Sequence, residues 1–385
     1  MRIITTTKDL AAFSEAIRQK PFVTVDTEFM REKTYWPILC LIQAAAEGEE
    51  AIIDPLANGI DLAPFFEVLA DPSVIKVFHA ARQDVEIFHH LTGNVPAPLF
   101  DTQVAAMACG FGDQIGYEPL MRNLVNAKID KGSRFTDWSR RPLTDAQLTY
   151  ALSDVTYLRE AYPKILKLLE PDNRDRWVAE EMEALLDPAL YFVTPTEAWK
   201  RLKLRGVRPN DLGPLIKLAE WRETEAQSRD VPRSRVIKDD AIFELARMKP
   251  TTSKEMGRAR SIGGGFERSK AAEGMIEAIA EGIAIDRDSL PRLEQKERKV
   301  IPPTDVVDLL KVLLKRQCEA YDVAPKLIAS ASDIEAIALD DNADVPAMKG
   351  WREEIFGSHA RLLKQGKIAL KLNGKEVEIF EPDQA

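Results

Sequence analysis

The first residues in this chain whose types and spacing could do chemistry are two acids placed two apart, where Phe22-Val23-Thr24-Val25 runs straight into Asp26-Thr27-Glu28-Phe29. Residues i and i+2 of a strand project from one face, so the two carboxylates point the same way and repel. The apolar alternation before them reads as a buried strand, and charges emerging from such a strand need a counter-charge that a divalent cation would supply. A third acid, Asp84, ends the run His79-Ala80-Ala81-Arg82-Gln83-Asp84 at the beginning of a helical pattern, where the helix dipole by itself tolerates an acid. The fourth element has the best local definition. Thr144 and Gln147 form a capping box flanked by Leu143 and Leu148, and the helix that starts there carries Tyr150 and Asp154 four apart on one face.

Taken singly, an exposed Asp-x-Glu, an acid at a helix start and a Tyr/Asp pair are ordinary surface features. Together the four carboxylates make a hard, oxygen-only ligand set without histidine or cysteine, which suits Mg²⁺ or Mn²⁺ rather than Zn²⁺ or copper. Two such ions about 4 Å apart clamp the attacking and the leaving oxygen of an in-line phosphoryl displacement. The expected cofactors are therefore two divalent metal ions, Mg²⁺ or Mn²⁺, and the expected reaction is phosphodiester hydrolysis.

Short β-like runs at 3–5, 22–28, 38–44, 51–53, 74–78 and 99–101 alternate with helical patterns at 8–20, 62–70 and 81–91. Runs that succeed one another without a helix pair antiparallel, whereas those starting at 74 and 99 arrive after helices and can pair parallel, which predicts an α/β domain with a mixed sheet. From Thr144 the pattern is helical, apart from a hairpin signal at Asn373-Gly374. A length of 385 residues predicts two or three domains. Pro188, Pro195, Pro209 and Pro214 punctuate one transition and Pro291, Pro302 and Pro303 a second. The expected organisation is a catalytic domain over 1–205 followed by two small all-α domains over 206–291 and 292–385. The two tail segments also resemble each other, since one constant offset carries Asp230-Val231, Ile242 and Ala246 onto Asp322-Val323, Ile334 and Ala338.

Hydrophobic residues at 45% and charged residues at 30% exclude a mostly disordered chain. Neither an apolar leader nor a run of about 18 apolar residues is found, so a cytoplasmic protein without membrane contact is expected. Cys40, Cys109 and Cys318 are scattered and read as reduced thiols. A net charge of −9 argues against a polyanionic partner, yet residues 196–270 hold about 18 Lys and Arg against about 11 Asp and Glu. A basic module is joined to acidic ones, and the segment 295–375 is close to neutral.

Asp26-Thr27-Glu28-Phe29, Tyr35-Trp36-Pro37-Ile38-Leu39-Cys40-Leu41-Ile42-Gln43, His79 through Asp84, Phe100-Asp101-Thr102 and Tyr150-Ala151-Leu152-Ser153-Asp154, in this order and spacing, resemble the ribonuclease D family of exonucleases with four catalytic acids and a tyrosine. The segment from about 210 to 290 resembles the helicase-and-ribonuclease-D C-terminal (HRDC) domain, and that from about 295 to 375 a second, divergent copy. The resemblance implies a ribonuclease-H-like sheet and a 3′→5′ exoribonuclease that trims structured RNA precursors, transfer RNA especially, to 5′-mononucleotides. It implies that Asp26, Glu28, Asp84 and Asp154 hold the two ions, with Asp26 touching both, and that Tyr150 positions the attacking water. A phenol with an ordinary pKa near 10 is a poor base at neutral pH, so orientation is the more reasonable role.

Substrate contacts are expected from Phe29, with Tyr35 and Trp36, by stacking on a terminal base, though such rings serve equally as core. His79 could hydrogen-bond a phosphate or support the metal shell, or be a buried strand histidine. Asp101 is expected to cap a helix. The basic run Lys200, Arg201, Lys203, Arg205, Arg208, Arg229, Arg233, Arg235 and Lys238 could contact phosphates without reading sequence, and Arg229, Arg233 and Arg235 are the expected RNA contacts. The expected partners are transfer RNA precursors and other small structured RNAs, bound by a monomer. Two rivals stand beside this reading: a DNA exonuclease using the same acids, and an RNA-binding adaptor whose nuclease domain is inert.

Overall fold

The computed structural model describes residues 1–382 except 131, 135, 205 and 293–299. Six strands form one mixed sheet: β1 (Ile3–Ile4), β2 (Phe22–Met30), β3 (Ile38–Ala46), β4 (Glu49–Ile53), β5 (Ile75–Phe78) and β6 (Leu99–Asp101), in the spatial order β1-β4-β3-β2-β5-β6. The β2–β3 and β3–β4 pairs are antiparallel, while β5 pairs parallel with β2 and with β6. The helix-free connections made the meander, as expected, and the helical ones made the parallel pairs. The strand β2 runs to Met30, past the expected end at 28.

The layout of β2 opens the site. Pairing with β5 covers only Phe22, Val23 and Thr24, so Asp26 and Glu28 project beyond the carboxyl end of β5 while β3 still supports them through Gln43 and Leu41. A bulge between Glu28 and Phe29 re-aims the strand immediately afterwards. One face of the sheet is covered by α1 (Thr7–Arg18), α2 (Ala63–Ala70) and α3 (Arg82–Thr92), around Phe13, Phe65, Phe78 and Phe88, all fully buried. Next come α4 (Thr102–Met107) and α5 (Tyr117–Val125), two helices that the sequence pattern did not announce. The long α6 (Asp145–Leu169) crosses the other face and is succeeded by α7 (Arg174–Ala184). Thr24 of β2 donates to the Val155 carbonyl of α6 at 2.8 Å, which ties the acidic strand to the helix that brings the last acid.

The first helical unit consists of α8 (Pro209–Ser228), α9 (Arg233–Val236), α10 (Asp239–Met248), α11 (Ser253–Met256) and α12 (Lys270–Ala284) around its own core of Leu215, Leu218, Ile242, Leu245 and Met275. Two sequence expectations are corrected here. Pro209 is not linker but opens α8, where its missing N–H would have had no intrahelical partner, and Pro214 lies inside that helix. Trp199, Leu202 and Leu204 already pack into this core, ahead of the boundary expected at 205, a position that itself lies outside the described residues, as does Arg205. Gly213 and Gly282 let α8 and α12 touch backbone to backbone, since a methyl on Gly213 would fall 2.2 Å from the Gly282 carbonyl oxygen.

The second helical unit holds α13 (Thr304–Tyr321), α14 (Pro325–Ile328) and α15 (Ala331–Leu339), then α16 (Gly350–Arg352), which passes through a π-helical stretch (Glu353–Gly357) into α17 (Ser358–Lys364). The offset that carries Asp230 onto Asp322 also carries the first residue of α9 onto that of α14 and the first residue of α10 onto that of α15. Asp230 and Asp322 share left-handed backbone, at φ of 47° and 49°. The hairpin expected at Asn373-Gly374 is present as β7 (Ala369–Asn373) and β8 (Glu376–Phe380). Cys40, Cys109 and Cys318 are free and buried. No helix among the described residues is long and apolar enough to cross a membrane.

Candidate active site

Each acid reaches the site by a different local device. Asp26 and Glu28 come from alternate positions of β2, flanking Thr27. Asp84 sits in the first turn of α3, and its delivery depends on Asp101. The Asp101 carboxylate caps α4 by accepting from Gln103 N at 2.8 Å, as expected, and also accepts from Ala80 N and Ala81 N at 2.9 Å. That clasp holds Ala80 at φ 59°, a left-handed turn costly for a residue with a Cβ, and so fixes where α3 begins. The capping box at Thr144 and Gln147 is present in full, and it sets the register that turns Tyr150 and Asp154 toward β2.

Carboxylate oxygens of Asp26, Glu28 and Asp154 lie within 4.8 Å of one another. Asp84 joins from the α3 side, where its Oδ1 accepts from the Thr27 hydroxyl. Asp84 and Asp154 are buried at 7% and 9% exposure. Such crowding shows in the proton affinities. Burial, and then the charge of Asp154, push Asp26 well above the ordinary carboxylate range; burial and Asp26 do the same to Asp84. Glu28 is pushed up to about 10 by burial and by Asp26, Asp154 and Asp84, and Asp154 to about 7 by burial. Two buried and two half-buried acids that resist ionisation fit a divalent cation, which would supply the counter-charge. Tyr150 is raised too, by burial and then by Asp154, Glu28 and Asp26, which makes a phenolate base still less accessible.

The acids open onto a cleft of about 380 Å³ that is also lined by Phe29, His79, Gln83, Tyr117, Glu118, Ile129 and Arg134. Phe29 and His79 are thus brought to the site. The His79 ring lies 5.5 Å edge-on from Tyr117, with Nδ1 3.0 Å from the Thr102 hydroxyl. Tyr117 donates from its hydroxyl to the Ser153 carbonyl at 2.8 Å, next to Asp154. Sequence reasoning missed Tyr117 and Arg134, because residues 102–142 carry no sustained apolar period; the Gly116-Tyr117 step into a short helix was the one local signal. No described residue of either helical unit lines the cleft.

Tyr35, Trp36 and Arg233 are elsewhere. Tyr35 is 6% exposed and packs with Ala226 and Val236 of the first helical unit. Trp36 stacks on His90 at 4.0 Å and on Phe192 at 6.2 Å. Arg233 gives Nε and Nη2 to Glu223 at 2.5 Å each, donates to the Tyr35 hydroxyl at 2.8 Å and covers the Tyr35 ring at 4.7 Å. Its charge is spent inside the molecule, which corrects its expected place among the RNA contacts. Arg229 and Arg235 remain exposed, Arg229 with a loose 3.7 Å pair to Glu225.

Comparison with known proteins agrees with this geometry. A family model described as a 3′-5′ exonuclease matches residues 1–170, and one described as an HRDC domain matches residues 212–279. A ribonuclease D of Gluconacetobacter diazotrophicus is 47% identical over 376 residues, covering 98% of this chain and 96% of that one. The chain belongs to the ribonuclease D family. A ribonuclease D of Nitrobacter hamburgensis is 48% identical over 380 residues, with 98% and 99% of the two chains covered. The crystal structure of Escherichia coli ribonuclease D, described as an exoribonuclease involved in structured RNA processing, is similar with a TM-score of 0.82 at 29% identity over 94% of this chain and 98% of that one. As a ribonuclease D family member the chain is a 3′→5′ exoribonuclease acting on RNA, with an α/β exonuclease domain ahead of an HRDC domain.

Proposed function

We propose that the chain trims the 3′ ends of structured RNA precursors, transfer RNA especially, one 5′-mononucleotide at a time and as a monomer. Asp26, Glu28, Asp84 and Asp154 would hold two divalent ions, Mg²⁺ or Mn²⁺, with Asp26 shared. The observation that carries this reading is the set of four raised, crowded carboxylates at the open end of β2. Bound there, the ions would supply Lewis acidity to the attacking water and to the leaving oxygen. Tyr150, on the same face of α6 as Asp154, orients that water in line with the scissile bond. Hydroxide adds to phosphorus, the P–O3′ bond breaks, its electron pair leaves with the 3′ oxygen, and that oxygen takes a proton; the phosphate departs on the 5′ side of the released nucleotide.

Phe29 supports a terminal base and His79 a ribose or phosphate group from the cleft wall. Arg229 and Arg235, with the other exposed basic residues of the first helical unit, hold the body of the RNA through its phosphates. The second helical unit is read as a divergent HRDC-like copy that has kept the corner and lost the basic surface.

The test is a 5′-labelled transfer RNA with a short 3′ extension, incubated with wild type and Asp154→Ala in Mg²⁺, Mn²⁺ or chelator, beside a DNA of matching sequence. The expected outcome is a metal-dependent ladder shortening from the 3′ end of the RNA alone, absent in the variant. Equal loss of the DNA would move the reading to a general exonuclease. RNA binding without shortening would make the chain an adaptor.

A further inference from the structure

The cleft around the four acids contains one guanidinium and no lysine ammonium among its described lining residues, that of Arg134. It belongs to a turn over residues 132–134, on the chain between α5 and α6, and its side chain is exposed. Thr136, Trp138 and Arg141, farther along the chain, are firmly seated. Thr136 accepts from Gln147 Nε2 at 3.0 Å, which joins the turn to the capping box of α6. Trp138, 2% exposed, packs with Cys40, Leu41 and Ile52 of the sheet and lies 6.2 Å from the Tyr150 ring. Arg141 makes a two-pronged pair with Asp54 at 2.7 Å and donates to the Cys40 carbonyl at 2.7 Å. Three anchors to α6, β3 and the end of β4 are far more than a surface loop needs. They hold the chain that follows the turn against the start of α6 and the sheet, and Arg134 itself lines the cleft.

The charge of Arg134 reaches the acids: it works against the rise of Glu28, Tyr150 and Asp154. An arginine whose task was to neutralise the acids would be buried among them and would compete with the cations. Arg134 is instead exposed and lines the open cleft that an incoming substrate must enter. That substrate carries a phosphodiester with one negative charge, and attack by hydroxide adds a second in the transition state. Among the described residues that line the cleft, Arg134 is the one guanidinium placed to meet that added charge.

We propose that Arg134 is a further catalytic residue, a guanidinium clamp on the non-bridging oxygens of the scissile phosphate. The inference rests on the metal-dependent hydrolysis argued above. A planar fork matches two phosphate oxygens, and its benefit grows as charge develops on them. The Arg134 contact is to phosphate, not to base or sugar, and is therefore indifferent to sequence.

The test compares wild type, Arg134→Ala, Arg134→Lys and Asp154→Ala in Mg²⁺. Arg134→Ala is expected to lower kcat by about 10²-fold, the usual loss when one charge-stabilising donor is removed, with Arg134→Lys in between. Inhibition by adenosine 5′-monophosphate should weaken about 10-fold in Arg134→Ala while inhibition by adenosine stays unchanged. Titration with Mn²⁺ should give affinity equal to or tighter than wild type, and the melting temperature should not move. Unchanged kcat and unchanged nucleotide inhibition in Arg134→Ala would overturn the proposal. So would parallel loss of nucleotide and nucleoside inhibition, which would mean a displaced wall rather than a lost phosphate contact. Wild type that hydrolyses RNA equally in Mg²⁺ and chelator would instead overturn the metal-dependent reading on which the proposal stands.

Discussion

Two of the regions in which this molecule buries carboxylates solve the same electrostatic problem in opposite ways. At the interface between the catalytic domain and the first helical unit, Glu223 is 1% exposed but accepts from two nitrogens of Arg233 and from the Tyr35 hydroxyl. Burial alone would raise its pKa; the hydrogen bonds from Arg233 and Tyr35 outweigh that and hold it below the usual value. At the open end of β2, Asp26, Glu28, Asp84 and Asp154 are crowded together and all are raised. A buried acid with an internal cation is a joint. A group of crowded acids with raised proton affinity suits something that binds and brings positive charge.

The sharpest way to break the comparison is to remove one acid from each region. Asp26→Asn should lower kcat by at least about 10³-fold, since it takes away a carboxylate that would hold both ions, and yet the metal-free protein should melt at a higher temperature because like-charge repulsion is relieved. A lower melting temperature, read by calorimetry in chelator, would make the cluster a structural one. Tyr150→Phe should be milder. It keeps the ligand set, so Mn²⁺ should still raise the melting temperature as in wild type while kcat falls by about 10²-fold; loss of the metal effect would give Tyr150 a ligand's role instead.

Glu223→Ala leaves Arg233 without its partner. A fully buried pair broken this way costs roughly 3–5 kcal/mol, and because the Arg233 side chain is 30% exposed a cost of about 2 kcal/mol is expected here. Denaturant unfolding measures the cost, and the residual exonuclease activity per folded molecule should stay within a few-fold of wild type. A loss as deep as that of Asp26→Asn would show that the interface reaches into catalysis, through the segment that links β2 to Tyr35.

The smallest effect is on the slope of stability with pH. In chelator, the raised pKa values of Glu28 and Asp154 contribute stability that is complete below the unfolded values near 4 and is lost as pH rises through about 7 for Asp154 and about 10 for Glu28. The lowered Glu223 contributes stability that is present above its unfolded value and is lost as pH falls through its folded one. Metal-free wild type should therefore weaken between pH 5 and 8, and saturating Mg²⁺ should flatten that slope. Glu223→Gln should flatten the acid limb alone.

The catalytic half of this comparison was legible in the sequence and the interface half was not. Strand period two put Asp26 and Glu28 on one side, and the Thr144 capping box fixed the helical face of Asp154 and Tyr150; each is a rule about neighbours within one element. Asp84 needed the Asp101 clasp on Ala80 and Ala81, a contact across two loops, but the acid itself stood at a recognisable helix start. Arg233 failed for the complementary reason. A basic run in sequence says how much charge a segment carries, not which arginine turns inward, and the partner that captured this one is Tyr35, nearly two hundred residues earlier. Arg134 was invisible because the chain between α5 and α6 is shaped by tertiary anchors, Trp138 and Arg141 above all, rather than by periodicity.

The second helical unit adds a contrast of its own. Asp230 accepts from the Tyr35 and Trp36 amides at 3.0 and 2.9 Å, and Asp322 lies so close to Gly110 that a methyl there would meet its carboxylate at 2.1 Å. Both left-handed corners touch the catalytic domain. The first unit nevertheless keeps a separate core, whereas the second shares one with α4 to α7, with Trp177 stacked on Trp351 at 4.8 Å. The basic segment is thus carried by the unit that keeps its own core, and the nearly neutral one is fused.

The central claim is that the four acids are crowded, with raised proton affinity, for the sake of divalent cations. Its most direct test is Mn²⁺ titration by calorimetry at pH 7 in two buffers of different ionisation heat. Metal ligands must be deprotonated to bind, so the account predicts about two ions per chain with release of at least about one proton, and loss of the tighter site in Asp26→Asn. Binding without proton release, or with the same stoichiometry and affinity in Asp26→Asn, would contradict it.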